Sequence, residues 1–207
     1  MYEYRKLTPE ERAELIRQRV ELGYPPHAPL HGMRDELLYF ITAACYEHRR
    51  HMNSIARRKQ VLDLLFEHFI SRGMELRAWI VLPNHYHLLV YTDDFNVIGK
   101  AIRRVHGATA RFWNIEDDAI GRKVWYRYAD RAIRSERHYY TTLNYIHYNP
   151  VKHHWVDSPY AWDISSLTWY LEAKGREWLR DLWCEYPLRS YGEGWDDFPS
   201  LEGEVER

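Results

Sequence analysis

The stretch Glu75–Thr92, ELRAWIVLPNHYHLLVYT, reads as two strands reversed at Pro83-Asn84. Proline suits the first central position of a tight turn because its ring presets φ, and asparagine tolerates the second. The returning strand then opens on His85-Tyr86-His87. Side chains two residues apart on a strand share a face. His85 and His87 therefore stand side by side, while Tyr86, Leu88 and Val90 turn to the opposite face and into a core. Two imidazoles so held are either rim histidines or half of a metal site.

The segments around this hairpin supply the rest of a fold. LLYFITAACY (37–46) reads as a strand buried on both sides. SIARRKQVLDLLFEHFISRG (54–73) is predicted helical, with Ser54 as its cap, Gly73 as its stop, and Leu62, Leu65, Phe66 and Phe69 at helical spacing. VIGKAIRRVHGATARFWN (97–114) is a second amphipathic helix, with Ile98, Ala101, Ile102, Val105 and Phe112 on one stripe. KVWYRYA (123–129) alternates like a strand, and SERHYYTTLNYIHYN (135–149) is helical, opened by Ser135. It is expected to close at Asn149, because Pro150 disfavours helix in the residue before it.

The order strand, helix, strand, strand, helix, strand predicts an α+β, ferredoxin-like antiparallel sheet with helices on one face. The last helix is surplus to that plan and could cross the open face where His85 and His87 point. Ahead of this core, LTPEERAELIRQRVELG (7–23) carries a capping-box pattern in Thr8 and Glu11, with Pro9 at the first helical position and Gly23 at the end. YPPHAPLHG (24–32) is a broken connector. The expected organisation is 1–34 as N-terminal helix and connector, 35–156 as core, and 157–207 as an acidic, Trp-rich extension.

Composition narrows the function. With 45% hydrophobic and 29% charged residues the chain reads as globular. It has no apolar run of membrane-spanning length, and its charged N-terminus does not resemble a signal peptide. Two cysteines make no disulfide framework, so a cytoplasmic location is expected. A net charge of −1 hides an asymmetry: ten Lys or Arg against five Asp or Glu over 100–137, and five against ten over 171–207. Such a division predicts a basic working surface and an acidic tail. Lys100, Arg103, Arg104 and Arg111 lie off the apolar stripe of a helix that contains no acid.

On the 135–149 helix, Tyr139, Leu143 and Ile146 form an apolar stripe, and His138, Thr142, Tyr145 and Asn149 a mostly polar one. Tyr145 and Asn149 are one turn apart and share a face. If that face meets the histidines, the site holds two imidazoles, a carboxamide oxygen and a phenol. Two histidines and an oxygen can bind a divalent ion with positions left open for a substrate. A phenol beside it could attack phosphorus and conserve the bond energy in a covalent intermediate. Tyr148, three residues on, could face the same cleft.

AWIVLPNHYHLLV followed by LNYIHYNPVKHHWV resembles the REP-associated tyrosine transposases, within the His-hydrophobic-His endonucleases that use one catalytic tyrosine. ADRAIRSERH and PYAWDISS are similar to that family as well, so the likeness runs from about Leu37 to Ser166. The resemblance implies a ferredoxin-like core, Mg²⁺ or Mn²⁺, and a single-stranded DNA substrate with a hairpin or palindromic repeat. It also implies a 5′-phosphotyrosine intermediate with a free 3′-OH. On the matching positions His85, His87 and Asn149 would ligate the metal and Tyr145 would be the nucleophile. A nucleoid-associated monomer or homodimer is expected.

Candidate DNA contacts are Lys100, Arg103, Arg104 and Arg111, with Arg131 and Arg134 beside the site and Lys152 and His153 at the helix end. Trp113, Trp125 and Tyr126 are candidate base-stacking residues, with core packing expected for at least two of them. Two readings compete with a DNA strand transferase: a domesticated hairpin-binding protein without turnover, and a hydrolase using water with Tyr145 structural.

Overall fold

The chain divides into two compact units, Met1–Asp35 and Glu36–Arg207. The structure, a computed structural model, describes residues 37–193 together with Thr8, Glu10, Glu14 and Arg17. In the first unit Glu10, Glu14 and Arg17 are helical and exposed, and Arg17 pairs with Glu14 at 2.7 Å. The partner Glu11 of the expected capping box, the stop at Gly23, the 24–32 connector and the chain past 193 lie outside the described residues.

The second unit is built on a four-stranded antiparallel sheet in the order β2-β3-β1-β4. The strands are β1 (Leu38–Ala44), β2 (Glu75–Val81), β3 (His85–Tyr91) and β4 (Ala129–Ala132). Helix α1 (Ile55–Ile70) joins β1 to β2, and α2 (Asn96–Glu116) joins β3 to β4. Helix α3 (Glu136–Lys152) follows β4, and two short helices, α4 (Leu167–Lys174) and α5 (Arg176–Glu185), complete the described α-helices, with 3₁₀ turns at Tyr46–His48 and Pro159–Ala161. The predicted caps form: Ser54 accepts from Arg57 N–H at 3.2 Å and Ser135 from His138 N–H at 3.1 Å. The hairpin closes through Leu82 N–H donating to His85 O at 2.8 Å.

Register divides the residues between two cores. β1 pairs β3 with Thr42 opposite His87 and Ala44 opposite His85. Directly paired residues point to the same side, so Tyr39, Ile41, Ala43, Tyr86, Leu88 and Val90 pack on α1 and α2. Phe40, Ala78, Ile80 and Leu89 turn the other way and pack on α3, α4 and α5. β3 is buried on both faces, which is why its sequence is nearly continuous in apolar residues after the histidines. The ferredoxin-like α+β architecture is thus present, with one helix pair on one face and α3 crossing the other. Among the described residues no helix is long and apolar enough to cross a membrane.

Two local expectations are corrected. Residues 123–128 are not a regular strand; Val124 and Trp125 are both buried, which breaks the alternation, and a single bridge, Cys45 with Trp125, extends the sheet there. The ladder proper forms at Ala129–Ala132. Helix α3 does not stop at Asn149 but continues through Pro150 to Lys152. Proline removes one N–H from the last turn, and the turn is closed instead by His153 N–H to Asn149 O at 3.1 Å and Trp155 N–H to Pro150 O at 2.9 Å.

Candidate active site

His85 and His87 emerge from β3 on the face crossed by α3, with ring centroids 4.9 Å apart. Each ring is oriented through Nδ1. Asn84 Oδ1 accepts from His85 Nδ1 at 2.8 Å, and Thr42 Oγ1 shares a hydrogen bond with His87 Nδ1 at 2.9 Å. With the proton of His85 on Nδ1, its Nε2 carries a lone pair. That lone pair faces Asn149 Oδ1 at 3.0 Å. Two acceptors at this distance need a proton or a metal ion between them, the proton coming from a second N–H on the ring or from a turn of the carboxamide that presents its Nδ2–H. Donors in cis positions around an octahedral ion with bonds of about 2.1 Å stand about 3.0 Å apart. The spacing of the pair fits a divalent metal, and among the described residues Asn149 Nδ2 has no hydrogen-bond partner that would lock the amide.

No group of three or more His, Cys, Asp or Glu suited to a metal lies among the described residues. A metal here would take two imidazoles and the Asn149 carboxamide, with its remaining positions filled by substrate or water oxygens. The Nδ1 hydrogen bonds from Asn84 and Thr42 are the kind of support that keeps a ligating imidazole in one tautomer and orientation.

Tyr145 sits one turn before Asn149 on α3, its ring 5.4 Å from that of His87 and edge-on to Phe40 at 5.9 Å. It is only 1% exposed. Lys152 Nζ donates to Tyr145 Oη at 3.3 Å and to Gly192 O at 2.8 Å. Tyr191 packs against the Tyr145 ring and its hydroxyl meets Thr142 Oγ1. Burial raises the Tyr191 pKa, so its hydroxyl keeps its proton at neutral pH. Residues 190–193 thus lie over the tyrosine.

The sequence-predicted residues divide between the two faces. His85, His87, Tyr145, Asn149 and Lys152 come together, and His153 joins them with its ring 5.0 Å from that of His85. Arg131 pairs with Phe40 across β4 and β1, on the site's side of the sheet. Arg131 and Arg134 both act on His138, whose imidazole is held below its ordinary pKa by burial and then by these two charges. Lys100, Arg103, Arg104 and Arg111 are exposed on α2, which packs on the opposite face of the sheet. They do not border the histidines.

Of the candidate stacking residues, Trp113 and Trp125 are core, their indoles donating to Gln60 Oε1 at 2.8 Å and Thr109 Oγ1 at 2.9 Å. Tyr126 is half-buried against Tyr46, 4.8 Å between ring centroids. Tyr148 turns away from the histidines and lines a cavity beside α5. Sequence reasoning missed Thr42, Phe40 and Gly192. The first two could have been found only from the register of β1 on β3. Asn84 was read as a turn former and also orients His85.

No family model matches the chain. It is 32% identical to the REP-associated tyrosine transposase of Escherichia coli strain K12 over an alignment of 124 residues, covering 54% of this chain and 70% of that protein. A solved REP-associated tyrosine transposase bound to a REP hairpin superposes with a TM-score of 0.58 at 23% identity, over 72% of this chain and 86% of that one. A putative transposase from Deinococcus radiodurans R1 aligns at a TM-score of 0.40 and 22% identity, over 57% of this chain and 95% of that one. The first of these likenesses is close enough, over enough of the relative, to identify the lineage: this chain belongs to the REP-associated tyrosine transposases.

Proposed function

We propose that the protein is a metal-dependent single-stranded DNA endonuclease and strand transferase that cuts and rejoins at hairpin or palindromic repeats. The observation that carries this reading is the convergence of Tyr145 and Asn149, one helical turn apart, on the paired imidazoles of β3. Membership of the family supports DNA-hairpin recognition, and the solved relative holds a REP hairpin.

In this reading Tyr145 Oη attacks the scissile phosphorus. A bond from Oη to phosphorus forms as the bond from phosphorus to the 3′-oxygen breaks. The phenol gives up its proton, and the departing 3′-oxygen takes one up to leave a free 3′-OH and a 5′-phosphotyrosine. Attack by a 3′-OH on that ester reverses the exchange and rejoins a strand. Lys152, beside Oη, stabilises negative charge on the phenol oxygen as its proton leaves. Mg²⁺ or Mn²⁺ held by His85, His87 and Asn149 would supply Lewis-acid polarisation of the phosphoryl group. Two nitrogen ligands favour Mn²⁺.

A second reading, a hairpin-binding protein without turnover, draws support from the burial of Tyr145 under residues 190–193. One experiment separates the two. Hairpin oligonucleotides with single-stranded flanks are incubated with Mn²⁺ and resolved on denaturing gels, using wild type, Tyr145→Phe and an EDTA control. The expected result is a protein–DNA adduct that disappears in both controls. Cleavage that survives in Tyr145→Phe overturns the nucleophile assignment. Tight binding with neither adduct nor cleavage establishes the second reading.

A further inference from the structure

His147 lies two residues past Tyr145 on α3, is fully buried, and takes no part in the site just described. Its Nε2 meets Ser166 Oγ at 2.8 Å, and its Nδ1 has no partner among the described residues. An imidazole sealed in this way is a weak source of stability. Whichever nitrogen carries the proton, the unmet Nδ1 keeps its desolvation cost. An apolar side chain would fill the same space without it.

Ser166 is equally committed to this contact. It stands at the start of α4, where a serine hydroxyl ordinarily caps the helix, yet it makes no capping hydrogen bond. Its Oγ instead accepts from Trp79 N–H at 3.1 Å, and its own N–H donates to Trp79 O at 2.9 Å. Val81 N–H donates to Ile164 O at 3.1 Å, so residues 164–166 run along the outer edge of β2, an end strand of the sheet. His147 thereby reaches the backbone of β2 through a single hydroxyl.

The place of His147 around the helix gives this link its consequence. Leu143 and Ile146 pack in the core between α3 and the sheet. At about 100° per residue, Asn149 lies roughly 90° to one side of that stripe and His147 roughly 70° to the other. On its own side Asn149 Oδ1 stands 3.0 Å from His85 Nε2. Apolar burial is non-directional and tolerates a small turn of the helix about its axis. Hydrogen bonds weaken steeply as they bend, so polar contacts on both flanks resist that turn.

We propose that His147 is a positioning residue: its hydrogen bond to Ser166 fixes the rotation of α3 over the sheet and so holds Tyr145 and Asn149 against His85 and His87. Its consequence for metal binding rests on the strand-transferase reading, whereas the placement of α3 does not.

The test compares His147→Leu, Ser166→Ala and His147→Gln, the last of which keeps an acceptor for the Ser166 hydroxyl. In metal-free protein, the imidazole nitrogen NMR signals of His85 and His87 are expected to shift in His147→Leu and Ser166→Ala. In His147→Gln they should return to their wild-type positions. Mn²⁺ affinity, measured by calorimetry well below the melting transition, should fall about ten-fold in the first two variants and stay at the wild-type value in His147→Gln. The double variant should bind no more weakly than either single one, the mark of one shared contact. If His147→Leu does not fold, Ser166→Ala carries the same comparison. A contact that only stabilised the fold would lower the melting temperature and leave the His85 signals and the Mn²⁺ affinity unchanged; that result overturns the positioning role. Wild type that binds no Mn²⁺ while the His85 signals still shift overturns the metal reading and leaves the positioning role standing.

Discussion

His87 shows how much of the site depends on a neighbour the chain reaches only through pairing. Its Nδ1 is held by Thr42 across the sheet at 2.9 Å. Thr42→Val keeps the shape and removes the hydroxyl, which lets the imidazole change tautomer and tilt. Mn²⁺ affinity measured by calorimetry is expected to fall about ten- to hundred-fold, the usual effect of removing a support behind a metal ligand. Unchanged affinity would mean that Thr42 does not orient the ring. On the opposite face, Tyr86 shares a hydrogen bond with His106 Nε2 at 2.9 Å, and His106 lies flat on Trp125 at 4.2 Å. Burial pushes the Tyr86 hydroxyl well above its ordinary pKa, so it stays protonated and donates. The residue between the two histidines is thereby anchored to α2. That His85 and His87 share a face was legible from spacing alone; that Thr42 and Asn84 orient them was not, since hydrogen bonds to Nδ1 depend on register and on the turn.

Helix α3 carries the tyrosine and the carboxamide on one stripe, and its end is shaped by Pro150 and then covered by a distant segment. Gly192 adopts φ +79°, and a Cβ there would lie 2.1 Å from Tyr145 Cε2. No side chain fits that gap, so Gly192→Ala pushes residues 190–193 off the tyrosine. The expected outcome is a lower melting temperature together with faster adduct formation on hairpin oligonucleotides. A lower melting temperature with an unchanged rate would show that the cover does not limit access. Helix α2 presents the complementary case. Its basic residues are separated from the histidines by the sheet, so in the strand-transferase reading any phosphates they hold lie away from the scissile bond. Replacing Lys100, Arg103, Arg104 and Arg111 with Gln should reduce the salt dependence of DNA binding by about 0.7–0.9 in log–log slope for each phosphate no longer neutralised. Adduct yield at saturating DNA should not change. An unchanged slope would remove these residues from the DNA interface. Both amphipathic helices were readable from their apolar stripes, except that Phe112, read as part of the α2 stripe, is 65% exposed and Trp113 is buried in its place; nor does a stripe say which face of the sheet receives it.

At the scale of the whole molecule, the sheet is a partition with a hydrophobic core on each side, and several histidines are sealed into it neutral. Burial lowers His106 from 6.5 to about 3, and burial together with nearby Arg122 lowers His51 to about 4. Their folded pKa values are depressed, so the unfolded chain takes up the protons first. The stability they contribute is whole above about pH 6.5 and is lost as pH falls towards 3–4, by up to about 1.4 kcal/mol per pH unit for His106 and by less for His51, which solvent partly screens. Denaturant midpoints should therefore drop between pH 7.5 and 5. His106→Gln, which keeps an acceptor for Tyr86 and does not titrate, should shrink that drop; an equal drop in the variant would place the acid sensitivity elsewhere. What the sequence by itself determined was local and periodic. Alternation made the hairpin, helical spacing set α1, α2 and the polar stripe of α3, and Ser54 and Ser135 marked helix starts. Those signals are written within a few residues of each other, where backbone geometry fixes which side chains share a face. Only the tertiary structure decided that Asn149 meets His85, that the basic face of α2 lies behind the sheet, that Tyr148 lines a separate cavity and that Gly192 presses on Tyr145. Those meetings join residues far apart in the chain, and they depend on strand register and on the direction in which each helix crosses the sheet.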